Sequence, residues 1–124
     1  MTTFLVMDDD ALAQQQLRQL GGEGEDLRII SAFTGAEGLS VALDKNLDLV
    51  VLSAQLGDAD WLDVLSTLHQ EARHTPIILT TSRGSMSQAV QAFRAGACDY
   101  VTKPLDPSKM AKAIVRAEDA MVLR

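Results

Sequence analysis

Cysteine and histidine are scarce in this sequence, which contains Cys98, His69 and His74 and no others of either type. One cysteine cannot form an internal disulfide, and these three residues do not have the spacing of a zinc site. We interpret Cys98 as a small buried apolar residue and both histidines as solvated groups at a helix end and in the loop after it. Disulfide scaffolds and zinc domains are therefore disfavoured.

Long hydrophobic runs are also absent, so no segment is long enough to span a bilayer. The start, Met1-Thr2-Thr3-Phe4, lacks the basic stretch and apolar core of a signal peptide. We therefore expect a cytoplasmic protein that does not bind membranes. The chain has 124 residues, 47% of them hydrophobic and 23% charged, which is typical of one ordinary globular domain over residues 1–124.

Positive charge is sparse over most of the chain, and the net charge is −6. Residues 1–82 contain 13 acidic and four basic residues, whereas residues 83–124 contain four acidic and seven basic ones. We expect no direct binding of nucleic acid by this domain. The C-terminal third could meet an acidic partner, or its basic residues could form an ordinary solvated face.

Five short apolar runs alternate with segments of helical periodicity. The runs lack polar alternation, as strands buried on both faces do: Phe4 to Met7, Leu27 to Ile30, Leu49 to Leu52, Ile77 to Leu79, and Tyr100-Val101. The segments between and after them each carry one apolar stripe with a period near 3.6: Ala13, Leu17 and Leu20; Leu39, Ala42 and Leu43; Leu62, Leu65 and Leu68; Met86, Val90 and Phe93; Met110, Ile114, Ala117 and Met121.

Polar residues mark the predicted helix starts: Asp10, Thr34 with Glu37 as a capping box, Asp60, Ser85, and Asp106 before Pro107. Five strand–helix units follow, wound by right-handed crossovers into one parallel sheet with helices on both faces. The glycine-rich segment 21–26 follows a helix and precedes a strand, the reverse of a phosphate-binding loop, so we interpret it as a surface turn.

Polar residues follow four of the predicted strands: Asp8-Asp9-Asp10, Ser53, Thr80-Thr81-Ser82 and Lys103-Pro104. Ligand sites of open parallel sheets lie outside the carboxyl ends of the strands. Adjacent carboxylates need a positive partner, and both Lys103 and a divalent cation such as Mg²⁺ would serve. Each residue alone could be structural, with Asp10 as a helix cap. Together they predict a site for a metal ion and a phosphoryl group, with Thr81 and Lys103 holding phosphate oxygens.

Four motifs carry a family resemblance: "FLVMDDD" at 4–10, "DLVVLSAQLGDADWLDVL" at 48–65, "PIILTTS" at 76–82 and "AGACDYVTKPL" at 95–105. With them the chain resembles, over essentially its whole length, the receiver domain of bacterial two-component response regulators. The stretch "AVQAFRAGACDYVTKPLD" resembles receivers attached to sigma-54-dependent activators of the nitrogen-regulator type. The resemblance implies a flavodoxin-like α/β fold, a doubly wound (βα)5 sandwich with a five-stranded parallel sheet in the order 2-1-3-4-5. It also implies a signalling role rather than an enzymatic one, in the N-terminal part of a longer regulator.

The resemblance also implies residue roles. Asp8 and Asp9 would help to bind Mg²⁺, Thr81 and Lys103 would hold the phosphoryl group, and Tyr100 would change rotamer as the domain switches. The acceptor aspartate of the family stands at the end of the third strand, where this chain has Ser53.

The chain departs from the family pattern in the loop after Ser53 as well. Gly57 stands where the family usually has proline, and Trp61 where it usually has glycine. Because tryptophan cannot adopt a conformation reserved for glycine without strain, we expect a rebuilt loop.

A serine at the acceptor position changes the expected chemistry. Its hydroxyl is neutral and needs a general base to attack, and no histidine is placed to serve as one, so we expect no spontaneous phosphotransfer. With one carboxylate fewer the pocket carries about −1 rather than about −2, so we expect weak Mg²⁺ binding. Asp58 or Asp60 could replace the missing ligand, although we expect Asp60 to cap the third helix. Lys103 is then free to pair with Asp8 or Asp9.

We therefore interpret the chain as a pseudo-receiver that acts by protein–protein contact with a linked output domain, a kinase or a second copy. The expected surface is formed by the fourth helix, fifth strand and fifth helix and includes Arg94, Lys109, Lys112 and Arg116. The alternative is a phospho-accepting receiver in which Ser53 is an engineered replacement of the acceptor aspartate. A flavin- or nucleotide-binding protein of the same fold is disfavoured by the acidic pocket and the lack of a phosphate loop.

Overall fold

The computed structural model describes residues 2–19 and 26–122, which form five strands alternating with five helices. The strands are β1 (Thr2–Met7), β2 (Leu27–Ala32), β3 (Leu49–Ser53), β4 (Ile77–Thr81) and β5 (Asp99–Thr102). The helices are α1 (Ala11–Arg18), α2 (Gly35–Asp44), α3 (Trp61–Glu71), α4 (Met86–Ala95) and α5 (Pro107–Val122). Residues 21–25 of the predicted surface turn, and Leu20 of the first predicted stripe, lie outside the described residues.

All five strands run parallel in the order β2-β1-β3-β4-β5, which confirms the predicted flavodoxin-like topology. Every residue of β3 and β4 is buried, because helices cover both faces of the sheet. This double coverage explains why the apolar runs in the sequence show no polar alternation. Across the described residues, no helix combines the length and apolar character needed to cross a membrane.

Two apolar cores lie on opposite faces of the sheet, because successive side chains of a strand point to opposite faces. Leu5 and Met7 of β1 belong to the core that also contains residues of α3 and α4. Phe4 and Val6 belong to the core that contains residues of α1 and α5. Cys98, predicted to be a buried apolar residue, is only partly buried and packs against this second core.

The predicted helix caps are confirmed. Each capping side chain accepts a hydrogen bond from a backbone N–H two or three residues further on, at 2.8 to 3.1 Å: Asp10, Thr34, Asp60, Ser85 and Asp106. Pro107 is the first residue of α5. A backbone N–H at this position has no partner within the helix, so the missing N–H of proline costs no hydrogen bond. Local polar residues thus set the start of every helix.

The apolar stripe of α4 does not face the core, contrary to the usual meaning of such a pattern. Met86 is 80% exposed, Val90 39% and Phe93 49%, whereas Ala92 is fully buried. At the end of the helix, Gly96 has φ of 115°, and a Cβ there would lie 2.5 Å from the His69 ring. The inner face of α4 therefore packs closely through small residues, and its large apolar residues point to solvent. In α2, Leu43 is likewise exposed rather than buried.

Trp61 is accommodated without the strain that a glycine conformation would impose. It is the first residue of α3 and packs, partly buried, against the core. Among the residues that the structure describes, no residue other than glycine has a positive φ. The strain that would require a rebuilt loop is therefore absent at Trp61.

Helix α2 meets the sheet at Gly38, where an added Cβ would overlap the fully buried Met7 side chain. Overpacking of this kind typically costs about 1–3 kcal/mol, against a helix-propensity gain of about 1 kcal/mol for alanine. We therefore expect Gly38→Ala to lower the free energy of unfolding by up to about 2 kcal/mol, measured by urea denaturation. Gly57→Ala is the control, because a Cβ there would meet only Asp9 Oδ2 at 3.7 Å. Equal stability of the two variants would contradict the packing argument.

Candidate functional site

The predicted polar residues meet at the carboxyl edge of the sheet. Asp8 directly follows β1, Ser53 ends β3, Thr81 ends β4 and Lys103 directly follows β5. Ser53 lies opposite Thr80 in the register of β3 and β4. Because β1, β3, β4 and β5 are consecutive neighbours in the sheet, their ends form one pocket wall.

Asp8 is the buried charge of this pocket. It is 1% exposed, and its Oδ2 lies 2.8 Å from Lys103 Nζ. Its Oδ1 accepts a hydrogen bond from the backbone N–H of Asp10 at 2.9 Å. Burial raises the pKa of Asp8 above its ordinary value, while the Lys103 ammonium and the Asp10 N–H act in the opposite direction. Of the two partners open to Lys103 in the sequence, the structure selects Asp8.

Asp9 has a different environment from Asp8, because its side chain is exposed and faces the loop at Gly57. Mg²⁺ commonly uses one or two carboxylates together with water, which these two aspartates could supply. However, Asp8 is already paired with an ammonium, and Ser53 offers a neutral oxygen in place of a third carboxylate. Within residues 2–19 and 26–122, no group of three or more His, Cys, Asp or Glu side chains is arranged to hold a metal ion.

Asp58 and Asp60 are both engaged at helix starts. The two carboxylate oxygens of Asp58 accept from the backbone N–H groups of Gly35 at 2.8 Å and Ala36 at 3.1 Å, at the start of α2. These bonds lower the pKa of Asp58 below its ordinary value. Asp60 caps α3, as predicted. Neither residue replaces the missing pocket ligand in this structure.

Ser53 is completely buried, and its hydroxyl takes part in the turn that follows β3. Its Oγ accepts from the backbone N–H of Gln55 at 3.1 Å and from Lys103 Nζ at 3.5 Å. Lys103 cannot act as a base while it carries the proton that pairs with Asp8. Among the residues that the structure describes, no histidine or carboxylate forms a hydrogen bond with the Ser53 hydroxyl. Its surroundings therefore position the serine without activating it.

Gln55 is a pocket residue that the sequence reasoning missed. Its Nε2 donates to Thr81 Oγ1 at 3.0 Å, and its Oε1 accepts from the backbone N–H of Ser82 at 2.9 Å. Thr81 Oγ1 also accepts from the backbone N–H of Arg83 at 3.1 Å. A lone glutamine in a loop carries no sequence signal for these contacts, which depend on how two separate loops meet.

Gln14 is a second missed residue. It is 2% exposed, and its Nε2 lies 3.0 Å from each of three backbone carbonyl oxygens, those of Val6, Asp8 and Ala32. This amide therefore joins the ends of β1 and β2 beside Asp8. A polar residue beside Ala13 in the helical stripe was the available signal, since a buried amide requires hydrogen-bond partners.

Tyr100 lies between the core and the start of α4. Its ring packs against the core, and its hydroxyl accepts from the backbone N–H of Ser85 at 3.2 Å and donates to Gln88 Oε1 at 2.6 Å. Tyr100 thus holds the first turn of α4 against β5.

The predicted basic surface residues lie on α4 and α5, the helices that contact β5. Arg116 Nε lies 2.7 Å from Asp99 Oδ2, and Lys109 Nζ donates to the carbonyl oxygen of Thr102 at 3.1 Å. Arg94 on α4 and Lys112 on α5 are exposed. Two of the four basic residues therefore bind β5 within the chain.

Comparison with known proteins gives consistent matches. The transcriptional regulatory protein ResD of Bacillus subtilis is 35% identical over 118 residues, which cover 93% of this chain and 48% of ResD. The chain spans about half the length of the curated relatives it matches.

Solved structures agree on the fold. A CheY-like response regulator receiver domain protein from Methanospirillum hungatei superposes with a TM-score of 0.89 at 24% identity, covering 99% of this chain and 98% of that one. A Burkholderia pseudomallei response regulator, solved with a phosphorylated aspartic acid, calcium ion and citrate, gives 0.82 at 25% identity, covering 100% of this chain and 76% of that one.

The family model described as the response regulator receiver domain matches residues 4–115, which is most of the chain. This match and the β2-β1-β3-β4-β5 sheet agree with the motifs at the strand ends. The chain therefore belongs to the response regulator receiver domain family, the regulatory modules of two-component signalling.

Proposed function

We propose that this receiver domain does not accept a phosphoryl group at Ser53 and that it signals by protein–protein contact. The observation that carries the proposal is the environment of the Ser53 hydroxyl, which is fully buried and bonded to Gln55 N–H and the Lys103 ammonium. A serine without a general base is a poor nucleophile at neutral pH, whereas an aspartate there would be ionised. Thr81, Tyr100 and Lys103 keep the positions that the family resemblance gives to phosphate-binding and switch residues.

Mg²⁺ would bind weakly, with Asp8 and Asp9 as its protein ligands. When bound, the cation would supply positive charge beside the carboxylates. It would also compete with Lys103, whose ammonium already lies 2.8 Å from Asp8 Oδ2. The loss of a third carboxylate removes one of the hard anionic ligands that Mg²⁺ favours.

The proposal predicts how the acceptor position responds to acetyl phosphate. With Mg²⁺ present, we expect the wild-type protein to show no phosphoryl adduct by intact mass spectrometry. Ser53→Asp supplies an ionised oxygen beside Lys103 and is expected to gain the adduct. Ser53→Asn, which has nearly the same shape without the charge, is the matched control and should gain none. An adduct on the wild-type protein would contradict the proposal.

Titration calorimetry with Mg²⁺ separates metal binding from phosphotransfer in the same three proteins. We expect Ser53→Asp to bind at least about tenfold more tightly than the wild type, because it adds an anionic ligand. Ser53→Asn is expected to bind as weakly as the wild type. Tight binding of both Mg²⁺ and beryllium fluoride by the wild-type protein would contradict the proposal that its metal site is weak.

Two aspartates are expected to titrate on opposite sides of the ordinary value of 3.8, with Asp8 above it and Asp58 below it. The raised pKa of Asp8 means that its ionisation opposes folding, so its contribution to stability is greatest below pH 3.8 and is lost as pH rises through the folded pKa. The lowered pKa of Asp58 has the reverse effect: its stabilisation is present above pH 3.8 and is lost as pH falls through the folded pKa.

Carboxyl ¹³C NMR measures both values in one experiment. Lys103→Met should raise the pKa of Asp8 further by removing the ammonium and should leave that of Asp58 unchanged. If Asp8 does not respond, the Asp8–Lys103 pair has no electrostatic role in solution.

The contact surface of the proposal is the face formed by α4, β5 and α5. Met86, Val90 and Phe93 form an exposed apolar stripe on α4, and Val115 of α5 is 56% exposed. Contiguous exposed apolar side chains mark interaction sites. The helices of this face carry exposed charges of both signs: Arg94, Lys109, Lys112 and Arg116 are basic, and Glu118 and Asp119 are acidic. Because a two-fold interface must be self-complementary, charges of both signs support a second copy as the partner.

Self-association is therefore expected to depend on concentration and on the α4 stripe. Sedimentation velocity should show a monomer–dimer equilibrium for the wild-type protein. Phe93→Glu should shift this equilibrium to monomer, because dimerisation would bury the unpaired charge of the glutamate. Leu43→Glu is the control, because Leu43 is 62% exposed but lies on α2. A wild-type protein that stays monomeric at all concentrations would contradict this interface.

The proposal extends to a longer protein of which residues 1–124 are the N-terminal receiver domain. Its relative ResD is a transcriptional regulatory protein about twice as long as the match. A linked output domain and a kinase are thus further partners, with transcription as the controlled process. The similarity to receivers of sigma-54-dependent activators stays a prediction.

A further inference from the structure

Gln55 joins the ends of two neighbouring strands through its side chain. The residue follows β3, yet its carboxamide binds the end of β4 and the residue after it: Nε2 donates to Thr81 Oγ1 at 3.0 Å and Oε1 accepts from Ser82 N–H at 2.9 Å. Its own backbone N–H donates to Ser53 Oγ at 3.1 Å. Gln55 is therefore fixed at its backbone by β3 and fixes the end of β4 in turn.

These contacts engage groups that could otherwise meet an anion in the pocket. A backbone N–H, a threonine hydroxyl and an ammonium are typical ligands of an oxyanion. Here the Ser82 N–H donates to the Gln55 carboxamide oxygen. Thr81 Oγ1 accepts two hydrogen bonds within the chain, which fix its position but leave its own O–H able to donate. The Lys103 ammonium is engaged with Asp8. The carboxamide oxygen thus accepts the bond that an external oxyanion would accept.

The segment between this bridge and α4 is short and closely packed. Only residues 82–85 separate β4 from the first residue of α4, Met86. An added Cβ on Gly84 would lie 2.8 Å from Thr102 Cγ2 and 3.0 Å from the Tyr100 hydroxyl. Ser85 is held by its N–H bond to that same hydroxyl. A loop fixed at Ser82 and at Ser85 leaves the start of α4 little freedom.

We propose that Gln55 is a positioning residue that holds the β4–α4 loop, and through it the apolar stripe of α4, in one conformation without any ligand in the acidic pocket. The coupling to association rests on the proposed function, in which the α4 face is the contact surface. The hold on the loop stands independently, on the Gln55 hydrogen bonds. In this domain an uncharged side chain, rather than a bound anion, would then hold the loop.

Amide hydrogen exchange followed by NMR tests the hold on the loop, using Gln55→Met, which keeps the length of the side chain and removes both bonds. We expect exchange at the Ser82 N–H to become about tenfold faster, which corresponds to the loss of about 1.4 kcal/mol. The Lys45 N–H, which donates to Val41 O at the end of α2, is the internal reference and should not change. Gln55→Glu keeps an acceptor for the Ser82 N–H, so its exchange rate at Ser82 should lie between those of the wild-type protein and Gln55→Met.

Faster exchange at Lys45 as well as Ser82 would indicate general destabilisation and would overturn the positioning role. Unchanged exchange at Ser82 would overturn it too. Sedimentation velocity on the same variants tests the coupling: Gln55→Met should weaken dimerisation several-fold, and Gln55→Glu should weaken it less. If Ser82 is released and dimerisation is unchanged, the coupling to α4 is wrong. A monomeric wild-type protein would instead contradict the proposed interface, and Ser82 exchange would still decide the role of Gln55.

Discussion

The buried carboxylate of Asp8 is the constraint around which the pocket is arranged. An ionised carboxylate that is 1% exposed has lost its water, and such a group costs several kcal/mol unless it is paired and hydrogen-bonded. The ammonium comes from Lys103, beyond β5, although two strands separate β5 from β1 in the sheet. On the way its Nζ comes to 3.5 Å from the Ser53 hydroxyl. One charge pair thus ties the far sides of the pocket together across the acceptor position.

A serine at position 53 fits this charge balance. An aspartate there would add a second buried carboxylate beside Asp8, and two like charges that share one ammonium raise each other's pKa. A divalent cation bound to such carboxylates usually offsets their repulsion. With Ser53, the one buried carboxylate and the one ammonium of the pocket balance, while Asp9 is exposed to water. On the proposed function, the pocket therefore has less electrostatic need for a cation, and the residue that replaces the nucleophile also removes a metal ligand.

The secondary structure and strand order of this domain could be predicted from its sequence better than the side-chain contacts within it. Unalternating apolar runs and capping residues are local signals, so the five strand–helix units and the five caps could be predicted, and the motifs implied the strand order. The choice of Asp8 rather than Asp9 for Lys103 depends on burial, which no local pattern specifies. The roles of Gln55 and Gln14 depend on which distant backbone groups lie within reach. Such contacts depend on the folded chain, so Gln55 could not be distinguished in the sequence from a solvated glutamine, and Gln14 only by its place beside an apolar stripe.

In the fourth helix, the apolar periodicity of the sequence does not predict which side chains are buried, and this bears on the proposed contact surface. Its apolar period is real, but close packing at Gly96 and Ala92 leaves room only for small residues on the inner face. Met86, Val90 and Phe93 therefore point outward, and burying such side chains gains about 1.5–3 kcal/mol each when burial is complete. Two copies together would bury twice as many of these side chains. The loss of translational and rotational freedom on association, however, costs about 4–15 kcal/mol, so the net binding free energy would be small. If the proposed α4 interface forms, it depends on how well α4 is positioned, because misplacement of one large side chain removes much of the gain. The contacts of Tyr100 with Ser85 and Gln88, and of Gln55 with Ser82 in the preceding loop, would then bear on that association.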